Sequence, residues 1–229
     1  MKTAIHHTAI LILFICIIFI AYNSWHNNPP LKRKCKSFGF QTKESSLAHL
    51  ILDNLTGIEI GGAVHNPFCL NTINIDFTNE SSTRYKQYEK KFSGGTYLEV
   101  DVAAPGDKLP FLNESYDFVI SSHTIEHFYD PIKTIEEWLR VTKKGGYVFM
   151  IIPHKERTYD RFKNRTTLNE LILRHKNPDP KLINSDSHHN IWITEDVIEL
   201  CKYQKWKIYA TLDTDDKAEN GFTIVIQKT

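Results

Sequence analysis

Residues 116–153 read YDFVISSHTIEHFYDPIKTIEEWLRVTKKGGYVFMIIP, and this stretch decides the fold. An apolar run at 116–122 is followed by an amphipathic segment at 131–141 and by a second apolar run at 147–153. Asp130 suits the cap of a helix that begins directly after it. Apolar runs that do not alternate with polar residues indicate strands covered on both faces. The stretch therefore predicts a strand–helix–strand unit with a right-handed parallel crossover.

The same alternation continues on both sides of this unit. The interleaved order predicts an α/β domain with a doubly wound, seven-stranded, mostly parallel sheet. A short polar turn separates the last two strands, so the last strand is expected to run antiparallel. The other predicted strands cover 56–60, 71–77, 96–102, 205–213 and 221–228, and further helices are predicted at 44–54 and 194–203.

The amino-terminal segment does not fit this domain. Residues 8–22 carry no charge, and the run reaches back to residue 5 if two histidines lie among lipid headgroups. A spanning helix needs roughly 17–25 residues, whereas a signal-peptide core has about 7–15. We predict an uncleaved signal anchor at 5–22, within an anchor and basic linker at 1–37 that precedes a domain at 38–229. A cleaved signal peptide and a buried core helix are the alternatives.

The side of the membrane that the domain faces is predicted from charge. Basic residues follow the apolar run, and positive charge favours the cytosolic side. Four glycosylation triplets would matter only in a lumen or outside the cell. We therefore predict a cytosolic domain, with a luminal or secreted domain as the alternative. The triplets begin at Asn54, Asn79, Asn113 and Asn164.

Composition excludes several classes of protein. The 229 residues are 41% hydrophobic and 24% charged, as in ordinary globular proteins. A formal net charge of +1 gives no basic field for nucleic acid, and no nucleic-acid partner is expected. The four cysteines are too few for a disulfide scaffold and form no CxxC pair, so no metal site is predicted.

Polar residues and glycines follow the predicted strands, where ligands of doubly wound sheets bind. Glu59-Ile60-Gly61-Gly62 ends the first strand and Asp76 ends the second. Asp101 follows the apolar part of the third strand, and Ser122-His123 follows the fourth. Glycines allow close backbone approach, and a strand-end carboxylate can accept hydrogen bonds from two ribose hydroxyls. Each feature alone is weak, but the ordered set is much more specific.

The sequence resembles the class I, Rossmann-like S-adenosylmethionine-dependent methyltransferases, especially the branch grouped as methyltransferase type 11. The resemblance covers roughly 55–229 and depends on GIEIGG, NIDF, EVDVAAPGDKLPF, SYDFVISSHTIEHFYDP and EEWLRVTKKGGYVFMIIP. It implies S-adenosylmethionine as cofactor and methyl transfer to an acceptor that we expect to be a small molecule. It implies that Glu59, Gly61 and Gly62 cradle the methionine part of the cofactor. It also implies that Asp76 holds the ribose, that Asp101 or Asp107 contacts the adenine, and that Ser122 and His123 line the site.

Two departures from the family pattern leave other functions open. The glycine segment reads EIGGAVHNP instead of acid-x-Gly-x-Gly-x-Gly, and the Glu59–Asp76 interval barely holds a helix, so a loop or a single turn is expected there. His65 and Asn66 are expected near the cofactor's carboxylate. A methyltransferase-like binding protein without catalysis is the first alternative, and an enzyme that uses NAD or a nucleotide sugar is the second.

Histidines supply the predicted general base for the acceptor. His154 follows the fifth strand, His123 follows the fourth, and His189 lies in a polar insertion. An unperturbed pKa near 6.5 suits removal of a proton from an acceptor. The insertion at 155–190 is the expected acceptor lid. HTIEH at 123–127 matches the inverted zinc-protease motif, which makes a zinc hydrolase a further but weaker alternative.

Overall fold

The computed structural model describes residues 42–179 and 187–229. Within them, a seven-stranded sheet has the order β3-β2-β1-β4-β5-β7-β6. Strands β1 to β5 are parallel, and β7 runs antiparallel to both β5 and β6. The predicted doubly wound sheet with an antiparallel last strand is confirmed. The strands are β1 Thr56–Ile60, β2 Asn71–Asp76, β3 Val102–Ala103, β4 Tyr116–Ser122, β5 Thr142–Pro153, β6 Lys207–Leu212 and β7 Gly221–Gln227.

Five α-helices accompany the sheet in the described ranges. The predicted helix at 131–141 is found with those bounds, and the Asp130 side chain accepts a hydrogen bond from the Lys133 amide at 3.0 Å. The predicted helix at 194–203 also has those bounds, and the Asp196 side chain closes its first turn by accepting a hydrogen bond from the Ile193 amide at 2.9 Å. The helices are α1 Ser46–Leu52, α2 Arg84–Phe92, α3 Pro131–Val141, α4 Leu168–Lys176 and α5 Thr194–Tyr203.

Apolar side chains cover the sheet on both faces. On one face Ile135, Trp138 and Leu200 of the helices pack on alternate residues of the central strands. On the other face α1 packs together with Phe68 and Leu70 of the β1–β2 connection. Alternate residues of a strand point to opposite faces, so the continuously apolar runs fill both layers.

The sequence prediction differs from the structure in the first half of the sheet. The third strand, predicted at 96–102, has only the two residues Val102–Ala103, and a helix that was not predicted, α2, precedes it. The connection at 61–70 is a loop, as expected, and contains no helix. Phe68 and Leu70, which are 1% and 3% exposed, give that loop an apolar core contact that a crossover helix would otherwise supply.

The predicted anchor at 5–22 and the linker up to residue 37 lie outside the described residues. No helix among residues 42–179 and 187–229 is long and apolar enough to span a membrane.

Candidate functional site

A tight turn follows β1 at the carboxyl edge of the sheet. Gly61 has φ +70°, a left-handed conformation that glycine adopts without strain, and its amide donates to the Ile75 carbonyl at 2.8 Å. A Cβ on Gly62 would lie 2.6 Å from Asn74 Oδ1 and 2.9 Å from the carboxyl carbon of Glu59. Glycine is therefore required at both positions. The turn lies where the sequence predicted it.

Glu59 is inside this turn. Its side chain is buried and accepts a hydrogen bond from the Thr72 hydroxyl at 3.2 Å. The Gly62 amide donates to Asn74 Oδ1 at 3.0 Å. Thr72 and Asn74 both belong to β2, so these contacts hold the end of β1 and the glycine turn against β2.

Asp76 ends β2 directly beside the turn. Its side chain is 20% exposed and lies 3.8 Å from Lys86 Nζ. Burial raises the pKa of Asp76, while the nearby ammonium of Lys86 opposes that rise. Asp76 Oδ1 accepts from the Phe77 amide at 2.8 Å. Carboxylate oxygens accept more than one hydrogen bond each, so Asp76 retains acceptor capacity for a ligand.

Two buried residues that the sequence analysis missed brace this corner. Glu89 accepts hydrogen bonds from the amides of Val64 and Leu98 at 2.5 and 2.7 Å and from Lys86 Nζ at 3.2 Å. Lys86 also donates to the Leu98 carbonyl at 3.1 Å. The i,i+3 spacing of Lys86 and Glu89 in α2 was the available signal, but such spacing is also common on exposed helix faces.

Asp101 precedes β3, and its carboxylate accepts from the Asn74 amide at 2.7 Å. Asp101 was expected at the carboxyl end of the third strand. Because β3 consists of Val102–Ala103, Asp101 lies at its amino end, and its carboxyl end lies after Ala103. Asp107 lies beyond that end and pairs with Lys133 at 2.6 Å. The adenine contact of Asp101 or Asp107 stays a prediction.

The segment after β4 reaches the glycine turn. The Asn66 side chain donates to Ser122 Oγ at 3.1 Å. Thr124 donates to the Ile60 carbonyl at 3.3 Å and would meet a Cβ on Gly61 at 3.0 Å. The connection after β1 and the end of β4 thus form one continuous rim, which includes the predicted residue Ser122.

The three predicted catalytic histidines have different neighbours. His123 has φ +52°, and burial lowers its pKa although the charge of Asp215 raises it. His154 Nδ1 accepts from the Glu156 amide at 3.2 Å and caps a short turn, and burial also lowers the pKa of His154. The His189 ring contacts the Tyr129 ring edge-on, 5.8 Å between centroids. A catalytic role for any of them stays a prediction.

A second polar cluster lies just beyond β4, at residues 125–127. The Glu126 side chain is fully buried, and its two carboxylate oxygens have no hydrogen-bond partner within the described ranges. One of them, Oε1, lies 3.7 Å from His127 Nε2 and 3.8 Å from His188 Nε2. Burial raises the pKa of Glu126 to about 8. HTIEH is a single motif in the sequence, and nothing local to it indicates that His188 joins it.

The basic stretch at 155–165 is occupied by contacts within the protein. Lys163 pairs with Asp160 at 2.6 Å, and Arg157 and Arg165 pair with Asp213 and Asp196. These ion pairs are what a solvated protein face shows, and they leave little free positive charge to attract an acidic acceptor.

These features fit the adenosyl part of S-adenosylmethionine. The Asp76 carboxylate suits the ribose hydroxyls, and the left-handed glycine turn leaves its backbone bare of side chains at the same edge. The amides of Gly61 and Gly62 are used inside the protein, so they are not donors for the cofactor's carboxylate. The free hydrogen-bonding capacity at this edge is that of an acceptor, and it therefore fits the ribose hydroxyls best.

The family comparison supports this interpretation of the edge. Residues 57–150 match the family model described as methyltransferase domain. The match begins in β1 and ends in β5, so it includes the glycine turn, Asp76 and the segment after β4. The resemblance to class I S-adenosylmethionine-dependent methyltransferases is confirmed, and the match implies S-adenosylmethionine as cofactor.

Individual relatives agree in class. The ubiquinone/menaquinone biosynthesis C-methyltransferase UbiE of Geobacter sp. (strain M21) is 30% identical over 126 residues, which are 53% of this chain and 52% of the relative. The methyltransferase YcgJ of Bacillus subtilis (strain 168) is 25% identical over 184 residues, which are 76% of this chain and 66% of the relative. The chain thus spans about half the length of the Geobacter relative.

Solved structures include an S-adenosylmethionine-dependent methyltransferase from Methanosarcina mazei. It is 17% identical, has a TM-score of 0.49, and the alignment covers 80% of this chain and 97% of that chain.

Proposed function

We propose that this protein is a methyltransferase that transfers a methyl group from S-adenosylmethionine to a small-molecule acceptor. One observation carries the proposal: the half-buried carboxylate of Asp76 stands beside a left-handed glycine turn, at the carboxyl edge of a sheet whose sequence matches the methyltransferase domain. A carboxylate at that position suits the ribose diol of the cofactor.

Methyl transfer requires few catalytic groups from the protein. The bound sulfonium is already a strong electrophile, so the protein's task is to align the acceptor, exclude water and accept a proton. Burial lowers the pKa of His123 and of His154, which favours the neutral form that a general base needs. His189 is the third candidate. The segment 155–190 is proposed to contact the acceptor.

The acceptor is proposed no more finely than a small molecule. The name of the Geobacter relative assigns it to ubiquinone/menaquinone biosynthesis as a C-methyltransferase. Methyl transfer to carbon is therefore one of the reactions to assay, together with transfer to oxygen and nitrogen.

Calorimetry tests cofactor binding directly. Full-length protein in detergent is titrated with S-adenosylhomocysteine, which keeps the ribose and adenine of the cofactor. We expect one binding site per chain. No heat of binding at millimolar ligand, with the protein folded by circular dichroism, would contradict the proposal.

A binding protein without catalysis is the second candidate. It is favoured by the connection at 61–70, which has no helix after the glycine turn and uses both glycine amides internally. Incubation with methyl-labelled S-adenosylmethionine and a small-molecule extract separates the two. Transfer of the labelled methyl group to any component of the extract would exclude a protein that only binds the cofactor. Binding of S-adenosylhomocysteine without methyl transfer to any extract tested would support it.

The membrane anchor at 5–22 is also part of the proposal. The basic flank favours a cytosolic domain, but two features favour a luminal one. Cys69 is disulfide-bonded, and disulfides persist in oxidising compartments. The asparagines of all four glycosylation triplets are exposed. The test is the gel mobility of the full-length protein, expressed in a eukaryotic host, before and after glycosidase treatment. A change in mobility would assign the domain to the lumen, and an unchanged mobility would support a cytosolic domain.

A further inference from the structure

We propose that Glu126, His127 and His188 bind a divalent metal ion of the zinc type. The three ligand atoms, one from each side chain, all lie within 4.8 Å of one another. The site is separate from the proposed cofactor contacts at Gly61, Gly62 and Asp76, and the inference does not rest on the proposed methyl transfer.

The spacing of the ligand atoms is close to that of a metal site. Glu126 Oε1 lies 3.7 Å from His127 Nε2 and 3.8 Å from His188 Nε2. Neighbouring ligands of a tetrahedral zinc ion lie roughly 3.3–3.6 Å apart, because each bond is about 2.0–2.2 Å. The two separations from Glu126 therefore need movements of a few tenths of an ångström, and the two histidine nitrogens, which lie within 4.8 Å of each other, would approach by up to about 1 Å.

Burial of an unsatisfied carboxylate is the second observation. Glu126 is fully buried, and its two oxygens have no hydrogen-bond partner within the described ranges. Burial of a carboxylate without partners is costly, and the cost falls when the group coordinates a cation. The carboxylate points between two imidazoles, which is where such a cation would compensate it.

The far nitrogen of each imidazole is already held, as it is in known metal sites. His188 Nδ1 lies 2.6 Å from Asp160 Oδ2, and His127 Nδ1 lies 3.3 Å from the Ser187 carbonyl. Such contacts fix the tautomer that leaves Nε2 as the metal ligand and raise its basicity. Both Nε2 atoms lie near the Glu126 carboxylate.

The backbone fixes His188 against the segment that carries Glu126. The amides of His189 and Asn190 donate to the Glu126 carbonyl at 2.9 and 3.1 Å. Arg174 Nη1 donates to the His189 carbonyl at 3.1 Å and to Asn190 Oδ1 at 3.0 Å. The two parts of the cluster are therefore preorganised although about sixty residues separate them along the chain.

The donor set favours zinc over magnesium or calcium. Imidazole nitrogens suit zinc and its neighbours in the first transition row, whereas magnesium and calcium prefer oxygen ligands. Three protein ligands leave a fourth position open. The Tyr159 hydroxyl lies 2.7 Å from His188 Nε2, the nitrogen that would bind the metal, so this hydroxyl must turn aside or coordinate when the metal binds.

This arrangement differs from the zinc-protease motif that HTIEH matches. That motif needs both histidines on one helix face. Here residues 125–127 form a short 3-10 turn, and His123 instead lies near Asp215. The proposed ligands therefore use the last two residues of the motif and replace its first histidine with His188.

Metal binding is tested on the full-length protein in detergent, stripped with a chelator and titrated with Zn²⁺ by calorimetry. We expect one equivalent per chain, at least tenfold weaker binding in Glu126→Gln and His188→Gln, and unchanged binding in His175→Gln. His175 is the matched control because it contacts a carboxylate, that of Asp130, outside the cluster. No Zn²⁺ binding to the wild type, or an affinity within tenfold of wild type in both variants, would overturn the proposal.

A second readout does not depend on the variants' stability. Co²⁺ added to the stripped wild-type protein should give the intense visible absorption of a four-coordinate site, and Zn²⁺ should abolish it. A weak six-coordinate spectrum, or none, would overturn the proposal and leave Glu126 as a buried protonated acid. S-adenosylhomocysteine binding is measured on the same samples, so failure of the metal site and failure of the cofactor site are told apart.

Discussion

Two candidate sites lie at the carboxyl edge of the sheet and are built in different ways. The first consists of the glycine turn after β1 together with Asp76, and the second is the histidine cluster around Glu126. The turn uses residues that end adjacent strands, so the sheet itself brings Gly61 and Asp76 together. The cluster joins Glu126 to His188 across about sixty residues, through an insertion that hydrogen-bonds to a 3-10 turn. A site at strand ends follows from topology, whereas a site made by an insertion depends on contacts that only the folded chain reveals.

The largest expected effect concerns the support of the turn. Glu89→Ala removes the buried partner of Lys86 and the acceptor of two loop amides. Loss of one member of a buried ion pair typically costs about 3–5 kcal/mol. We expect a decrease of that size in the free energy of unfolding, measured by urea denaturation. The exposed Glu80→Ala variant should stay within about 0.5 kcal/mol of wild type, and an equal decrease in both variants would contradict this role.

A smaller effect depends on pH. Burial lowers the pKa of Lys217 to about 8 from an ordinary 10.5, although its Nζ donates to three oxygens near the turn. Between these values the unfolded chain binds more protons than the folded chain, so stability rises with pH. The rise should approach about 3 kcal/mol, because each pKa unit corresponds to about 1.4 kcal/mol.

Denaturation from pH 7.5 to 10.5 measures this rise as the difference between wild type and Lys217→Met. Stability of the wild type should increase relative to the variant across that window. Lys202→Met is the control, since Lys202 is exposed. Parallel curves for wild type and Lys217→Met would contradict the assignment.

The smallest effect concerns the histidine cluster. Arg174→Met removes two hydrogen bonds that hold the backbone and side chain next to His188. Because Arg174 positions a ligand and does not itself contact the metal site, we expect Zn²⁺ affinity to fall about three- to tenfold, which is roughly 1 kcal/mol. Arg161→Met, an exposed arginine stacked on Phe162, should bind Zn²⁺ like wild type. Equal affinity in all three proteins would show that the cluster is held by other contacts.

Sequence reasoning predicted most of the fold for a physical reason. Buried parallel strands require continuous apolar runs, and α3 has both its apolar spacing and its Asp130 cap. The predicted bounds of the third strand were wrong. TYLEVDV alternates as a strand does, but only Val102–Ala103 pairs with β2. The helix α2 was missed because it is polar and lysine-rich, and the aromatic residues at helical spacing in it, Tyr85, Tyr88 and Phe92, are 44–50% exposed and lie outside the core.

The residues of the two candidate sites also differ in how far the sequence predicts them. Gly61, Gly62 and Asp76 were predictable because the ends of parallel strands meet at one edge. Lys86, Glu89 and Lys217 could not be predicted, because the sequence does not show whether a charged side chain is buried or exposed. Their partners also include residues that are distant in sequence. His188 was seen as one of two adjacent histidines, and nothing local distinguished its role from that of His189.

Affinity for S-adenosylhomocysteine in wild type and Asp76→Ala is the most direct test of the central claim, that this edge holds S-adenosylmethionine. Calorimetry should give saturable binding to wild type and more than tenfold weaker binding to Asp76→Ala, because hydrogen bonds to a charged, half-buried carboxylate are worth about 1.5–3 kcal/mol. Asp117→Ala, at the opposite edge of the sheet, should bind like wild type. Equal affinity in Asp76→Ala and wild type, or no binding to wild type, would contradict the account.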